Sequence, residues 1–160
     1  MTDAERYFVD KVSLYFEKLT FPRMAGRIFA WLLISEAPQA SMAQLMEALQ
    51  ASKSSISSMT RLLIQVELIE VVSLPGVRHD YFRIHKDAWT TALKDRLAQA
   101  VTFRQLADEG LALLKDAPPE RSQRLQEMRS MYAFLEREIP ALLERWEAER
   151  HLLFESSNAR

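Results

Sequence analysis

The sequence predicts a mainly α protein with one small β-hairpin, and three observations carry that prediction. Of 160 residues only 3 are glycine, while 48% are hydrophobic, and a chain rich in Leu, Ala, Glu, Arg and Gln with so little glycine favours helices. Apolar residues recur at steps of three and four along most of its length. One Pro75-Gly76 turn signal separates two short runs of β-branched and aromatic residues.

Phe8, Val12, Tyr15 and Leu19 lie on one face of a first helix that ends before Phe21-Pro22. A second helix is expected to open near Pro22, whose fixed φ suits a first turn. It runs through Met24, Ile28, Trp31 and Leu32 until Pro38 and is largely buried. Ser41 followed by Gln44 has the spacing of a capping box, and Met42, Leu45, Met46 and Leu49 mark the buried face of a short third helix. Ser52 is placed to cap a fourth, in which Ile56, Met59, Leu63 and Val66 form a core stripe. At about 100° per residue, Ser54, Ser57, Ser58, Arg61 and Gln65 gather on its opposite side. Glu70 to Leu74 and Asp80 to Ile84 read as the two strands of the hairpin, with Val77, Arg78 and His79 near its tip.

From Asp87 the helical pattern resumes through Trp89, Leu93, Leu97, Val101 and Leu114 and stops at Pro118-Pro119. In the last segment Leu125, Met128, Tyr132, Leu135, Ile139, Leu142 and Trp146 alternate steps of three and four, a narrow seam that wants a partner helix. Pro140 lies inside it and is expected to kink the helix or break it locally. The tail 156–160 is expected to fray.

Several function classes are excluded by composition. Without cysteine there is no disulfide, thiolate zinc site or cysteine nucleophile. Gly26, Gly76 and Gly110 are too far apart to form a phosphate-cradling fingerprint. His79, His85 and His151 do not have the spacing of metal ligands, and no serine is tied to a histidine base by a motif. No metal, cofactor or enzyme activity is therefore expected. Without an apolar run of roughly 18 residues or a signal-peptide profile at Met1 to Glu5, the expectation is a cytoplasmic chain that does not enter a membrane.

Helix, helix, tight turn, helix and hairpin is the order of a winged helix-turn-helix, whose second helix enters the DNA major groove. The expected organisation is an N-terminal helix over 1–20, the winged domain over 21–86, C-terminal helices over 87–155 and the tail. Lys53, Ser54, Ser57, Ser58 and Arg61 are the candidate recognition-helix contacts, because hydroxyls donate and accept at base edges and a guanidinium pairs with guanine or phosphate. Arg78 and, less strongly, His79 are the wing candidates. Leu125, Met128, Tyr132, Leu135, Ile139, Leu142 and Trp146, the seam that wants a partner helix, are candidates for pairing with a second copy.

The formal charge of -1, from 21 basic and 22 acidic residues, argues at first against a nucleic-acid partner. By region the objection weakens. Residues 41–86 hold five basic and four acidic residues, and residues 87–160 hold 11 basic and 13 acidic.

The stretch from Phe21 to Ile84 resembles MarR-type winged-helix transcriptional regulators, and most closely their GbsR-like branch. The matching residues are Gly26-Arg27-Ile28 with Leu32-Leu33, Leu45 and Leu49, and the run Ala51-Ser52-Lys53-Ser54-Ser55-Ile56-Ser57. Leu62, Leu68-Ile69-Glu70, Gly76-Val77-Arg78 and Tyr81-Phe82 complete them. The resemblance implies a homodimer on a pseudo-palindromic duplex, with the N-terminal helix over 1–20 and the C-terminal helices over 87–155 as dimerisation helices and Phe8, Val12 and Tyr15 joining the Leu125 to Trp146 seam as dimerisation candidates. It also implies action as repressor or activator, with a small-molecule effector in some members. Glu67 stands where such proteins usually have a glycine, so a left-handed turn must be made there by a non-glycine residue or avoided. Trp31, Trp89, Trp146, Tyr15 and Phe29 are candidates for an aromatic cage around a cationic effector, against the simpler reading that they are core. From the near-neutral charge, a winged-helix protein-interaction module without DNA binding is the alternative to a regulator.

Overall fold

The computed structural model describes residues 1–73, 75–76 and 79–155, with backbone alone for 151–155. Two compact units divide the chain, Met1–Ala88 and Trp89–Arg160. The first contains α1 (Asp3–Lys18), α2 (Arg23–Ile34), β1 (Ala40–Ser41), α3 (Met42–Leu49), α4 (Lys53–Gln65), β2 (Ile69–Ser73) and β3 (Asp80–Ile84). α5 (Ala88–Leu113) and α6 (Pro119–Glu155) follow.

α1 opens on a capping box between Thr2 and Glu5 and packs on α2. The side facing α2 is Val9, Ser13 and Phe16, one step round from the stripe Phe8, Val12, Tyr15 and Leu19. Val12 packs partly on the core, whereas Phe8 is 38% and Tyr15 59% exposed, alongside exposed Tyr7, Leu14 and Leu19. α1 is thus apolar on two sides, and only one is used inside this unit. The two helices approach closely because the residues between them are small. A Cβ on Gly26 would stand 2.7 Å from the Ser13 Cα and 2.8 Å from the Phe16 Cβ. Buried Ser13 is satisfied there, donating to the Asp10 carbonyl and accepting from Arg23 Nε.

Phe29 is buried with its ring 5.3 Å from that of Phe16, which removes it from any aromatic cage. Its position on the inner side of α2 decides this. Pro22 acts as the N-cap rather than inside the first turn, and α2 ends at Ile34, four residues before Pro38, where Ser35 turns extended. Ile28 and Leu32 carry the core onward to Leu45, Leu49, Ile56, Leu63, Ile69 and Phe82.

α1, α3 and α4 all end through a residue in the left-handed region without glycine: Thr20 (φ 67), Gln50 (φ 51) and Glu67 (φ 56). In each case the next amide reaches back to a carbonyl in the last turn. Phe21 N donates to Phe16 O at 2.9 Å, Ala51 N to Met46 O at 3.1 Å and Leu68 N to Leu63 O at 3.0 Å. That is the Schellman arrangement, with Glu67 N to Ile64 O at 3.0 Å as its second bond in α4. Residues that cost more than glycine at positive φ still make these turns, because the closing amide bonds and the core side chains on both sides fix them.

The hairpin gains a third strand that periodicity did not reveal. β1 pairs antiparallel with β3, giving the order β1-β3-β2, with Val71 opposite Phe82 and Glu70 opposite Arg83 in the β2–β3 ladder.

In the second unit, α5 and α6 pair antiparallel. Leu125 lies against Gly110, Tyr132 stacks on Phe103 with centroids 4.8 Å apart, and Arg104 pairs with Glu136. Part of the α6 seam therefore meets α5 of its own chain. Ile139 is buried, whereas Leu142 is 46% exposed. α6 continues through Pro140 without a break, since proline removes one donor and the turns on either side hold. Among the described residues no helix is long and apolar enough to cross a membrane.

One substitution at two glycines should have opposite effects. Gly26→Ala meets backbone and should cost about 1–3 kcal/mol by overpacking. Gly110→Ala meets only the end of the Leu125 side chain, at 2.8 Å, and should be neutral or gain up to about 1 kcal/mol of helix propensity. Urea unfolding of both variants measures the difference.

Asp108 bonds Arg129 and pairs with Arg104 Nη1 at 2.6 Å. The hydrogen bond from Arg129, with the charges of both guanidiniums, holds its carboxyl below the ordinary carboxylate value. A lowered folded-state pKa stabilises the protein above the unfolded value and loses that contribution as pH falls through the folded one. The melting-temperature gap between wild type and Asp108→Asn should therefore be open at neutral pH and close below about pH 4.

Candidate nucleic-acid interface

The recognition helix is set by its two ends and its inner side. Ser52 caps α4, its Oγ accepting from Ser55 N at 3.3 Å and lying 3.1 Å from the Ser54 Oγ. Ile56, Thr60 and Leu63 are the buried positions, while Met59 packs partly against the core and Val66 is half-buried. Thr60 replaces Met59 as the fully buried residue, its hydroxyl satisfied by the Ser57 carbonyl at 3.2 Å. A polar threonine gives no apolar signal, so only a local bond of this kind allows it to be inside.

The outer side holds Lys53, Ser54, Ser58, Arg61 and Gln65, all exposed, with Ser57 half-buried beside them. No carboxylate occurs in Lys53–Gln65. The helix brings Ser54, Ser57, Ser58 and Arg61 onto one side and places Lys53 at its opening turn. Arg83, also basic, is spent within the sheet, 2.8 Å from Glu70. Arg78 lies outside the described residues. His79 immediately precedes β3 at the turn end of the wing, its Nε2 3.2 Å from the Tyr81 hydroxyl and the rings 5.0 Å apart.

A concavity of about 340 Å³ opens between these parts, lined by Ser41, Met42, Ala43 and Met46 of the β1–α3 segment, Lys53 of α4 and His79. Sequence reasoning missed it, because its wall depends on the two-residue strand β1 that holds Ser41 against Tyr81, too short for any periodic signal. Among the described residues, no group of three or more His, Cys, Asp or Glu is placed to hold a metal.

A helix-turn-helix with a carboxylate-free outer helix and an attached β-wing defines a winged-helix DNA-binding protein. Residues 87–149 match the family described as MmpR5-like MarR family transcriptional regulator. The chain is 39% identical over 139 residues to the HTH-type transcriptional regulator MmpR5 of Mycobacterium tuberculosis, covering 87% of this chain and 84% of that one. It is 24% identical over 123 residues to the HTH-type transcriptional repressor OpcR of Bacillus subtilis, covering 77% of this chain and 64% of that protein. A crystal structure of a transcriptional regulator is similar with a TM-score of 0.74 and 37% identity, over 91% of this chain and 99% of the other. The chain belongs to the MmpR5-like MarR family of transcriptional regulators, which are not enzymes. The matched description carries the name MmpR5, whereas the residues of the winged domain resemble the GbsR-like branch; MarR is common to both.

Two substitutions at the α4 cap should separate stability from binding. Ser52→Ala removes the cap and should cost about 1 kcal/mol. Ser52→Asp keeps it but adds a carboxylate beside Lys53, so thermal stability should hold while DNA affinity, measured by fluorescence anisotropy, falls about tenfold or more.

Proposed function

We propose that this protein regulates transcription in the cytoplasm as a homodimer bound to a pseudo-palindromic operator, with half-sites about one helical turn apart. The observation that carries the reading is the exposed, carboxylate-free side of α4. Ser54, Ser57, Ser58 and Arg61 read base edges in the major groove, with Lys53 at the opening turn and Arg78 and His79 on the wing. The uncovered apolar side chains support the dimer: Phe8 and Tyr15 of α1 and Leu142 of α6 are exposed and available to a second copy. Val12, Leu125, Met128, Tyr132, Leu135, Ile139 and Trp146 complete that set from beneath, Leu125 and Tyr132 bracing α6 on α5, Val12 packing partly on the core of the first unit and Ile139 lying buried. A small molecule then modulates binding through different affinity for two arrangements of the dimer.

Selection of bound duplexes from a random pool should return a two-fold motif. Arg61→Ala should lose about tenfold in affinity and relax the preference at one base pair per half-site, while the Arg61→Ala/Arg78→Ala pair loses DNA binding with the dimer intact by light scattering. No enriched motif at low salt from an intact dimer would overturn the reading and favour a protein-interaction module.

A further inference from the structure

The concavity between α3, α4 and the wing differs from the rest of the proposed contact surface in combining an apolar floor with a basic rim. Met42, Ala43 and Met46 supply the floor, while Lys53 and His79 enter from two other elements, and none of the six lining residues is acidic. The capping box uses the amides of Ser41 and Gln44 on each other's side chains, and the amides of Met42 and Ala43, in the first turn of α3, have no partner within the helix. A deoxyribose carrying its phosphate has this pair of properties, carbon on one side and a charged acceptor on the other. At about 340 Å³ the space is at the small end of ligand sites.

We propose that this cavity seats one sugar-phosphate unit of the operator backbone, gripped by Lys53 and by His79 in its protonated form, so that acidification tightens operator binding. The proposal rests on the operator reading above. The groups facing His79 fit this role. The Tyr81 hydroxyl holds Nε2 at 3.2 Å, which leaves Nδ1 to donate to the phosphate. Lys53 shares the cavity and Asp80 is the next residue in the chain. A phosphate held by Lys53 and His79 favours the charged imidazole, so DNA binding and proton uptake favour one another. Histidine is the side chain whose charge ordinarily changes between about pH 5 and 8. Lys53 is then a backbone clamp rather than a reader of base edges, and its loss weakens all sequences alike.

The test uses the full-length dimer and its selected duplex, followed by anisotropy across a salt series at about pH 6 and about pH 8. Wild type should bind up to about a hundredfold tighter at the lower pH, about tenfold for the charge-assisted hydrogen bond at each half-site. The slope of log K against log salt should steepen there by about 0.9 for each protonated imidazole, hence about 1.8 for a dimer. His79→Gln should abolish both changes, binding with one affinity and one salt slope at both pH values. Tyr81→Phe should blunt them, and His85→Gln should keep them. Persistence of the pH effect in His79→Gln, or a wild-type salt slope unchanged by pH, overturns the proposal while leaving operator binding standing. Failure of wild type to bind any duplex at either pH overturns the operator reading itself. Inorganic phosphate at about 10 mM shifting the His79 ring resonances without DNA, and competing with the duplex, would reassign the cavity to a free anion and overturn the backbone contact.

Discussion

The winged unit depends on α2 having no idle side. One side closes on α1, where Gly26 and Ser13 let the helices approach closely enough for Phe16 to sit between Phe21 and Phe29. The other carries Ile28 and Leu32 into the cluster formed with α3, α4 and the sheet. A side chain at position 26 would push α1 away from α2, or α2 into the elements it supports. The recognition helix leans on this arrangement, since Ile56 and Leu63 are fully buried in that same cluster. Its outward residues can be small hydroxyls because its inner ones hold it in place.

Helix ends supply the second constraint. A helix that points a few side chains at a groove must stop at a defined residue, and α4 stops through Glu67 with paired Schellman bonds to Leu63 and Ile64. The same device closes α1 at Thr20 and α3 at Gln50. Glycine would lower the conformational cost at each position but would also free the unfolded chain. With three such turns between Asp3 and Leu68, three of the first four helices, α1, α3 and α4, are closed by backbone bonding rather than by glycine. A glycine count of three therefore understates how sharply this chain turns.

Much of this architecture was legible because it rests on period and on caps. The capping box at Ser41 and Gln44, the cap at Ser52 and the turn at Pro75-Gly76 each left a local signature, and the structure places them on α3, α4 and the hairpin. What escaped was whatever depends on residues distant in sequence. Buried Thr60 carries no apolar mark, β1 is two residues long, and the inner side of α1 at Val9, Ser13 and Phe16 is no more apolar than its outer side at Phe8 and Tyr15. The seam of α6 was visible as a seam but not by partner, since spacing cannot tell α5 of the same chain from a helix of another. The family match falls on 87–149, whereas the sequence resemblance was read within 21–84. The 39% identity to MmpR5 over 139 residues is what carries the family across the greater part of the chain.

The near-zero net charge takes its meaning from where the charges are spent. Arg83 is held by Glu70, Arg104 by Asp108 and Glu136, and Arg129 by Asp108, so these guanidiniums add little free positive potential. Lys53 and Arg61 stand on an exposed surface without a carboxylate in their helix. Counterion release scales with the phosphates neutralised, and α4 offers only Lys53 and Arg61. On the proposed reading nonspecific attraction is correspondingly weak, and discrimination falls to contacts that only the right sequence completes. A regulator built this way has little affinity to spare for DNA at large, and one additional cation at the edge of each contact surface then weighs more than it would on a strongly basic protein.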